Sequence, residues 1–287
     1  MQFRSLVLAA SVAGLMLPLT ASNSNAADME EAQALPHVAP STIERAFYIR
    51  GDLGYADNRI GEFGQEDVTF NGGGFVSQDV EGAPYIGGGV GVRLARWLRV
   101  DLTGEYRFSA DIGAVDHLEL NLSNPDGLMT ASTTYSGEHT AFVGLANIYI
   151  DLPKLHSITP YVGAGLGFAR NKFSGFHTTS NGSFEDFATG DVQSETTTGV
   201  AGSKTSTSFA WALMAGVGVD LDERTKLDIG YRYVHLGSDV AASTGIIDCS
   251  CGTVGSPLTG SDLDSHEVRI GIRFEFTRAS HDAVSLK

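Results

Sequence analysis

The residues best equipped for chemistry are charged, and they recur at alternate positions. Arg50, Arg93, Arg99, Arg107, Arg232, Arg269 and Arg273 share such positions with Asp52, Asp101, Glu105, Asp151, Asp220, Asp228, Glu267 and Glu275. Charges of both signs on one face of a sheet can set the selectivity of a pore, or pair with one another as a plug. His139 follows Glu138, and an imidazole near a carboxylate is material for a Ser–His hydrolase. Against that stand eight scattered histidines and no G-x-S-x-G, H-E-x-x-H or phosphate-loop motif. No catalytic, cofactor-binding or metal-ligating residue is therefore assigned, and no enzymatic activity is expected. Cys249 and Cys251 flank Ser250. In an oxidising compartment they can close a surface disulfide, strained by the one-residue spacing and without a catalytic role.

These side chains need strands to hold them. In VRIGIRFEF, residues 268–276, Val268, Ile270, Ile272, Phe274 and Phe276 fall on one face, and Arg269, Gly271, Arg273 and Glu275 on the other. The same two-residue period recurs at 46–55, 83–94, 98–108, 139–152, 158–170, 207–221 and 226–235. That makes eight strands. Long segments at 56–82, 109–137, 171–206 and 236–265 alternate with short turns at 95–97, 153–157 and 222–225. Antiparallel strands connected in this way put every long loop at one end. The pattern predicts an all-β, eight-stranded antiparallel, up-and-down transmembrane β-barrel with four long extracellular loops.

Periodicity cannot by itself tell inside from outside, and a soluble sandwich or lipocalin-like barrel would bury the apolar face. Two features favour the membrane. Glycines share the charged face, as suits a narrow polar interior. Aromatics end the apolar runs, among them Phe47, Tyr55, Phe108, Phe168, Phe209, Tyr233, Phe274 and Phe276. Eight strands enclose little more than their own side chains, so the paired plug is preferred to an open pore.

Composition sets the remaining bounds. The 287 residues carry a formal charge of −15, which argues against a nucleic-acid partner. Mean hydropathy is −0.01, too polar for a helical membrane protein. Arg4, the apolar stretch 6–19 and Ser24-Asn25-Ala26 read as a signal peptide over 1–26. A periplasmic leader is expected over 27–45, the barrel over 46–276 and a periplasmic tail over 277–287. Segments 109–137 and 236–265 contain acids but no Lys or Arg. They could bind divalent cations that bridge to surface glycolipid, or serve only as a solvated surface.

The export signal and the segments RAFYIRGDLGY, ANIYIDL and TPYVGAGLGFA resemble the opacity-type outer-membrane β-barrel proteins, in particular the Omp25/Omp31-like group of alphaproteobacteria. The resemblance covers about residues 46–276. It implies a Gram-negative outer-membrane location with both termini periplasmic. The partners implied are outer-membrane lipid, lipopolysaccharide and the barrel-assembly machinery. Arg269, Gly271, Phe274 and Phe276 are similar to the last-strand signal that this machinery reads, although eleven residues follow Phe276 where relatives usually end. The role expected is structural, in envelope integrity and presentation of surface loops. A surface binding module for haem, a host surface or glycolipid is the alternative, and a narrow porin for small solutes comes third.

Overall fold

The computed structural model describes residues 46–61, 63–65, 74–123, 126–241, 246–248, 252–253 and 258–277. They lie in the compact unit Ile43–Lys287. All regular structure among them is β: β1 (Ala46–Ile60), β2 (Phe63–Gln65), β3 (Gly74–Val80), β4 (Ala83–Ala95), β5 (Leu98–Ser123), β6 (Asp126–Asp151), β7 (Ile158–Asp186), β8 (Val192–Ala201), β9 (Lys204–Asp220), β10 (Thr225–Ala241), β11 (Ile246–Asp248), β12 (Gly252–Thr253) and β13 (Leu258–Thr277).

The eight expected strands are all present. β1 pairs with β4, β4 with β5, β5 with β6, β6 with β7, β7 with β9, β9 with β10, β10 with β13 and β13 with β1, every pair antiparallel. Each strand of this ring has two neighbours, so none presents a full-length free edge. Ala46 pairs with Thr277, which places both ends of the ring at the end carrying the short connections.

The long segments differ from expectation. Much of residues 109–137 and 171–206 is strand rather than loop. β5 and β6 run on as a hairpin to Ser123 and Asp126, and β7 continues to Asp186 before β8 returns along it. Small and β-branched polar residues, such as the run Thr130-Ala131-Ser132-Thr133-Thr134 of β6, suit a pleated, half-exposed sheet. Their hydroxyls cross-link it. Thr130 meets Ser183 at 2.7 Å, Ser132 donates to the Asp116 carbonyl at 3.2 Å, and Thr196 donates to Asn181 at 2.9 Å.

The two faces sort as the alternation predicts, with the apolar residues outside. Leu102, Leu166 and Val268 are 62%, 60% and 63% exposed, whereas Arg99 and Arg232 are 1% and 0% exposed. A soluble barrel would show the reverse. Residues 268–276 make about 30 Å of strand, or about 23 Å of height at a tilt of about 40°. Exposed Phe276 and Phe47 end the apolar belt on one side, and Tyr106, Phe108, Phe168 and Phe209 end it on the other.

Beyond the second aromatic row the sorting inverts. The pairing of β5 with β6 shifts between Arg107 and Ala110. Inward positions on β5 are odd up to Arg107, then even at Ala110, Ile112 and Ala114, while Asp111 and Gly113 turn outward. A bulge moves the parity of a strand by one residue. It does so here just beyond the exposed aromatic row, and past that point apolar side chains of β5 turn inside.

Glycines on the inner face make room for tyrosines. Tyr161, Gly216, Gly230 and Arg269 occupy one row across four strands. A Cβ at Gly216 or Gly230 would come within 2.6 Å of the Tyr161 hydroxyl. With both positions bare, the ring lies across two strands, and Arg269 Nη2 donates to its hydroxyl at 3.4 Å.

Candidate functional site

The ring encloses a network of charges that crosses from wall to wall. On β1, Arg50 donates to Asp52 at 2.7 Å and to Asp101 of β5 at 3.1 Å. It also donates to the Tyr149 hydroxyl of β6 at 3.2 Å. Asp101 in turn accepts from Tyr48 at 3.1 Å and from Asn147 at 2.7 Å. Arg99 pairs with Asp151 at 2.7 Å, its guanidinium 4.8 Å from the Tyr149 ring centre. Arg273 grips Asp228 through two nitrogens, each at 3.1 Å, and reaches Glu275 at 3.2 Å. Arg93 meets Glu275 at 2.5 Å.

A second group lies nearer the long segments. Arg232 of β10 bonds to Glu267 of β13 at 2.8 Å through Nε and to Glu105 of β5 at 2.5 Å through Nη1. β5 and β10 are not neighbours in the ring, so this side chain spans the interior. Arg107 shares Glu267 with it. Arg232, Glu105, Glu267 and Arg107 are all buried. Removing such ions from water costs on the order of several kcal/mol each, and only close pairing offsets it. Arg232 meets that requirement with fork-shaped contacts to both acids, whereas Arg107 bonds through Nη2 alone and leaves its Nε and Nη1 without a hydrogen-bond partner among the described residues.

Above the charges the interior becomes apolar. Phe173, Phe176, Leu236 and Leu263 are buried there in one cluster with Ala110 and Ile112, alongside buried His139 and Asn171, and the cluster reaches down to Val143 and Leu145, which pair with Glu105 and Thr103 of β5. Sequence reasoning missed this layer. It followed the inward charges and glycines and left Val143, Leu145 and Val234 unassigned, although their inward parity signals an apolar interior there.

A family model described as outer membrane protein beta-barrel domain matches residues 15–276. The chain belongs to that family. An uncharacterized protein of Brucella abortus (strain 2308) is 30% identical over 297 residues, spanning 95% of this chain and 99% of the relative. A Brucella melitensis relative, also uncharacterized, shows the same identity and coverage. Among solved structures, this outer membrane beta-barrel protein is similar to OprG of Pseudomonas aeruginosa, at 16% identity over 81% of this chain and 96% of that one, with a TM-score of 0.46. Neisserial surface protein A is 15% identical over 80% of this chain and 99% of that one, with a TM-score of 0.38.

The chain is thus an outer-membrane, transmembrane member of the family with surface-loop regions, and its apolar belt lies on the outside of the ring. The residues singled out from sequence then fall into place unevenly. Arg269 and Gly271 point inward, whereas Phe274 and Phe276 lie on the outer face with ring centres 5.0 Å apart. Cys249 and Cys251 lie outside the described residues, as do the signal peptide, the leader and residues 278–287. β13 itself extends one residue past the expected barrel end, to Thr277. Asp116, read from sequence as part of an acidic loop, is instead buried and accepts from the Tyr135 hydroxyl at 2.8 Å and the Thr133 amide at 3.0 Å. Among the described residues, no three His, Cys, Asp or Glu side chains are grouped to hold a metal ion.

His139 sits above the aromatic row, outside the belt. Its Nε2 lies 3.1 Å from Asn171 Oδ1, and its ring is 4.8 Å from Phe173. Ser109 bonds to neighbouring Glu138 on the opposite, outer side of the strand, at 3.0 Å. His139 is thus a packed interior residue, and Glu138 does not face it. Burial pushes its imidazole down to about 4. The unfolded side chain titrates near 6.5, so between these values the unfolded chain takes a proton that the folded chain refuses. Stability present above pH 6.5 is expected to fall as the pH drops towards 4, by roughly 3 kcal/mol for the full shift. His139→Gln should flatten that part of the curve. Urea titrations of both proteins at pH 7.5 and 4.5 check this.

Proposed function

We propose that the protein is a closed eight-stranded barrel across the outer membrane, with four extracellular segments and both termini in the periplasm. Its role is to support envelope integrity and to present the extended segments at the cell surface. One observation carries this reading: the interior is crossed by buried ion pairs at two levels, with a cluster of buried apolar side chains packed against and beyond them. A conducting pore needs continuous water, and charges paired across the lumen stand in its way. The tall β5–β6 and β7–β8 hairpins support the presenting role. Residues 108–123 alone correspond to about 50 Å of strand beyond the belt.

The partners follow from the surfaces. Lipid and lipopolysaccharide meet the belt and its outer rim. Exposed Asp111 and Glu119 offer anionic surface to divalent cations bridging to glycolipid. During insertion, the assembly machinery reads Arg269, Gly271, Phe274 and Phe276 at the end of β13. The pore question is tested by recording from the folded protein in planar bilayers. The expected result is a flat baseline with no stable openings. Reproducible nanosiemens steps would refute the plugged interior.

A further inference from the structure

The outer face of β10 and β13 carries a second polar cluster, separate from the lumenal network. His235 Nδ1 lies 2.7 Å from Asp264 Oδ1, and Ser238 Oγ lies 3.3 Å from His235 Nε2. With Asp264 accepting the Nδ1 proton, Nε2 is left as an acceptor turned towards the serine hydroxyl. Hydroxyl to imidazole to carboxylate is the connectivity that activates a serine nucleophile, and it is recognised by geometry rather than by chain order.

A break in the strand creates this arrangement. His235 pairs with Asp264 and Ser238 with Asp262, with a register shift between them. Positions 235 and 238 of an unbroken strand would face opposite ways. At the shift, Gly237 has φ of 132°, where a side chain is disfavoured, and a Cβ there would also strike Ser208. The bulge turns Ser238 onto the face of His235. It is anchored from inside the barrel: Leu236 is buried, and its carbonyl accepts from Asn171 Nδ2 at 3.0 Å. A bulge also takes backbone N–H groups out of the ladder, and such donors can serve a developing oxyanion.

The location indicates the substrate. Trp211 stacks on His235 with ring centres 5.9 Å apart, and Tyr233 lies 5.4 Å from Trp211. Below them Ile229, Tyr231 and Val268 are exposed on the belt. The cluster therefore sits where the apolar belt meets water, at the depth of the ester linkages of membrane lipids.

We propose that Ser238, His235 and Asp264 form a hydrolytic site for the carboxylic esters of acyl lipids in the outer leaflet. Ser238 Oγ attacks the ester carbonyl carbon while His235 Nε2 takes the hydroxyl proton. The carbon–oxygen bond to the lipid alcohol then breaks, and that oxygen receives the proton from His235. Water attacks the acyl-serine in the same way, its proton passing through His235 to Ser238 Oγ as the fatty acid leaves. Asp264 is a positioning residue that holds the ring. Ser238 also donates to Asp262 at 2.7 Å, so its hydroxyl turns from Asp262 to His235 for attack. The proposal departs from the expectation of no enzymatic activity, which rested on motifs that three residues on two strands do not form. It depends on the outward belt facing lipid, and the heat shift of the folded barrel tests that separately.

The test uses full-length protein folded in phospholipid vesicles, with folding verified on unboiled gels. A fluorophosphonate probe should label the folded protein and leave the heat-unfolded protein unlabelled. Ser238→Ala should abolish labelling. His235→Gln should slow it by about 100-fold or more. Asp264→Asn should slow it, and Asp264→Glu, which keeps the carboxylate, should restore part of the rate. Fatty acid should be released from the vesicles by the parent and not by Ser238→Ala. Folded parent protein that takes no label, or label that survives Ser238→Ala, overturns the site. Labelling without fatty-acid release overturns the lipid-ester substrate.

Discussion

Replacing Arg232 with Met should destabilise the folded barrel by about 3–5 kcal/mol, the cost of leaving a buried charge uncompensated. Arg232 is fully buried and bonds at once to Glu105 and Glu267. Without it Glu105 loses its bidentate partner, while Glu267 keeps Arg107. Adding Glu105→Gln to Arg232→Met should therefore recover most of the loss, because the remaining Arg107–Glu267 pair is balanced. Unfolding by urea in lipid vesicles, followed by tryptophan fluorescence, measures both variants. Equal losses in the single and double variants would show that the charges are not paired as the geometry places them.

The second large effect concerns the apolar layer. Phe173→Ala should cost about 3–5 kcal/mol, as for other large side chains removed from a packed core. Phe173 is fully buried and lies against His139. If this part of the interior were an open, water-filled vestibule, its walls would already be hydrated and the substitution would cost far less. Phe209, 63% exposed on the outer face, provides the contrast. Phe209→Ala leaves a surface gap that lipid can fill, so its loss should be clearly smaller in the same urea titration.

Much of the fold was legible in the sequence because strand alternation has a period of two and most runs hold it without a break. Val268 to Phe276 sorted correctly by face, and so did Arg99 to Arg107 and Asn147 to Asp151. The alternating connection lengths gave the antiparallel order that the pairings follow. What remained hidden depends on bulges. One extra residue near Phe108 reverses the parity of β5, and nothing in its composition marks the place. The hairpin extensions were hidden for a related reason: Ser, Thr and Asn suggest a loop, yet here they pair in long ladders across β6, β7 and β8.

The interior network was legible as a set of charges but not as a set of pairs. Alternation placed Arg232 and Glu105 on the same face, yet their contact crosses the ring between strands 127 positions apart. Period alone does not say which inward residues meet across a lumen; closure of the ring does. Ser238 was missed altogether, because the strand was read as ending at His235 and residues 236–265 as a loop, whereas β10 continues past a bulge at Gly237 that turns Ser238 outward.

The most direct measurement is the electrophoretic mobility, before and after boiling in SDS, of the protein in isolated outer membranes. A closed lipid-facing barrel resists SDS until heated, so the unboiled protein should run at a different position from the boiled one. A single band at one position in both samples, from a protein recovered in the soluble periplasm, would contradict the barrel and assign the apolar face to a buried core.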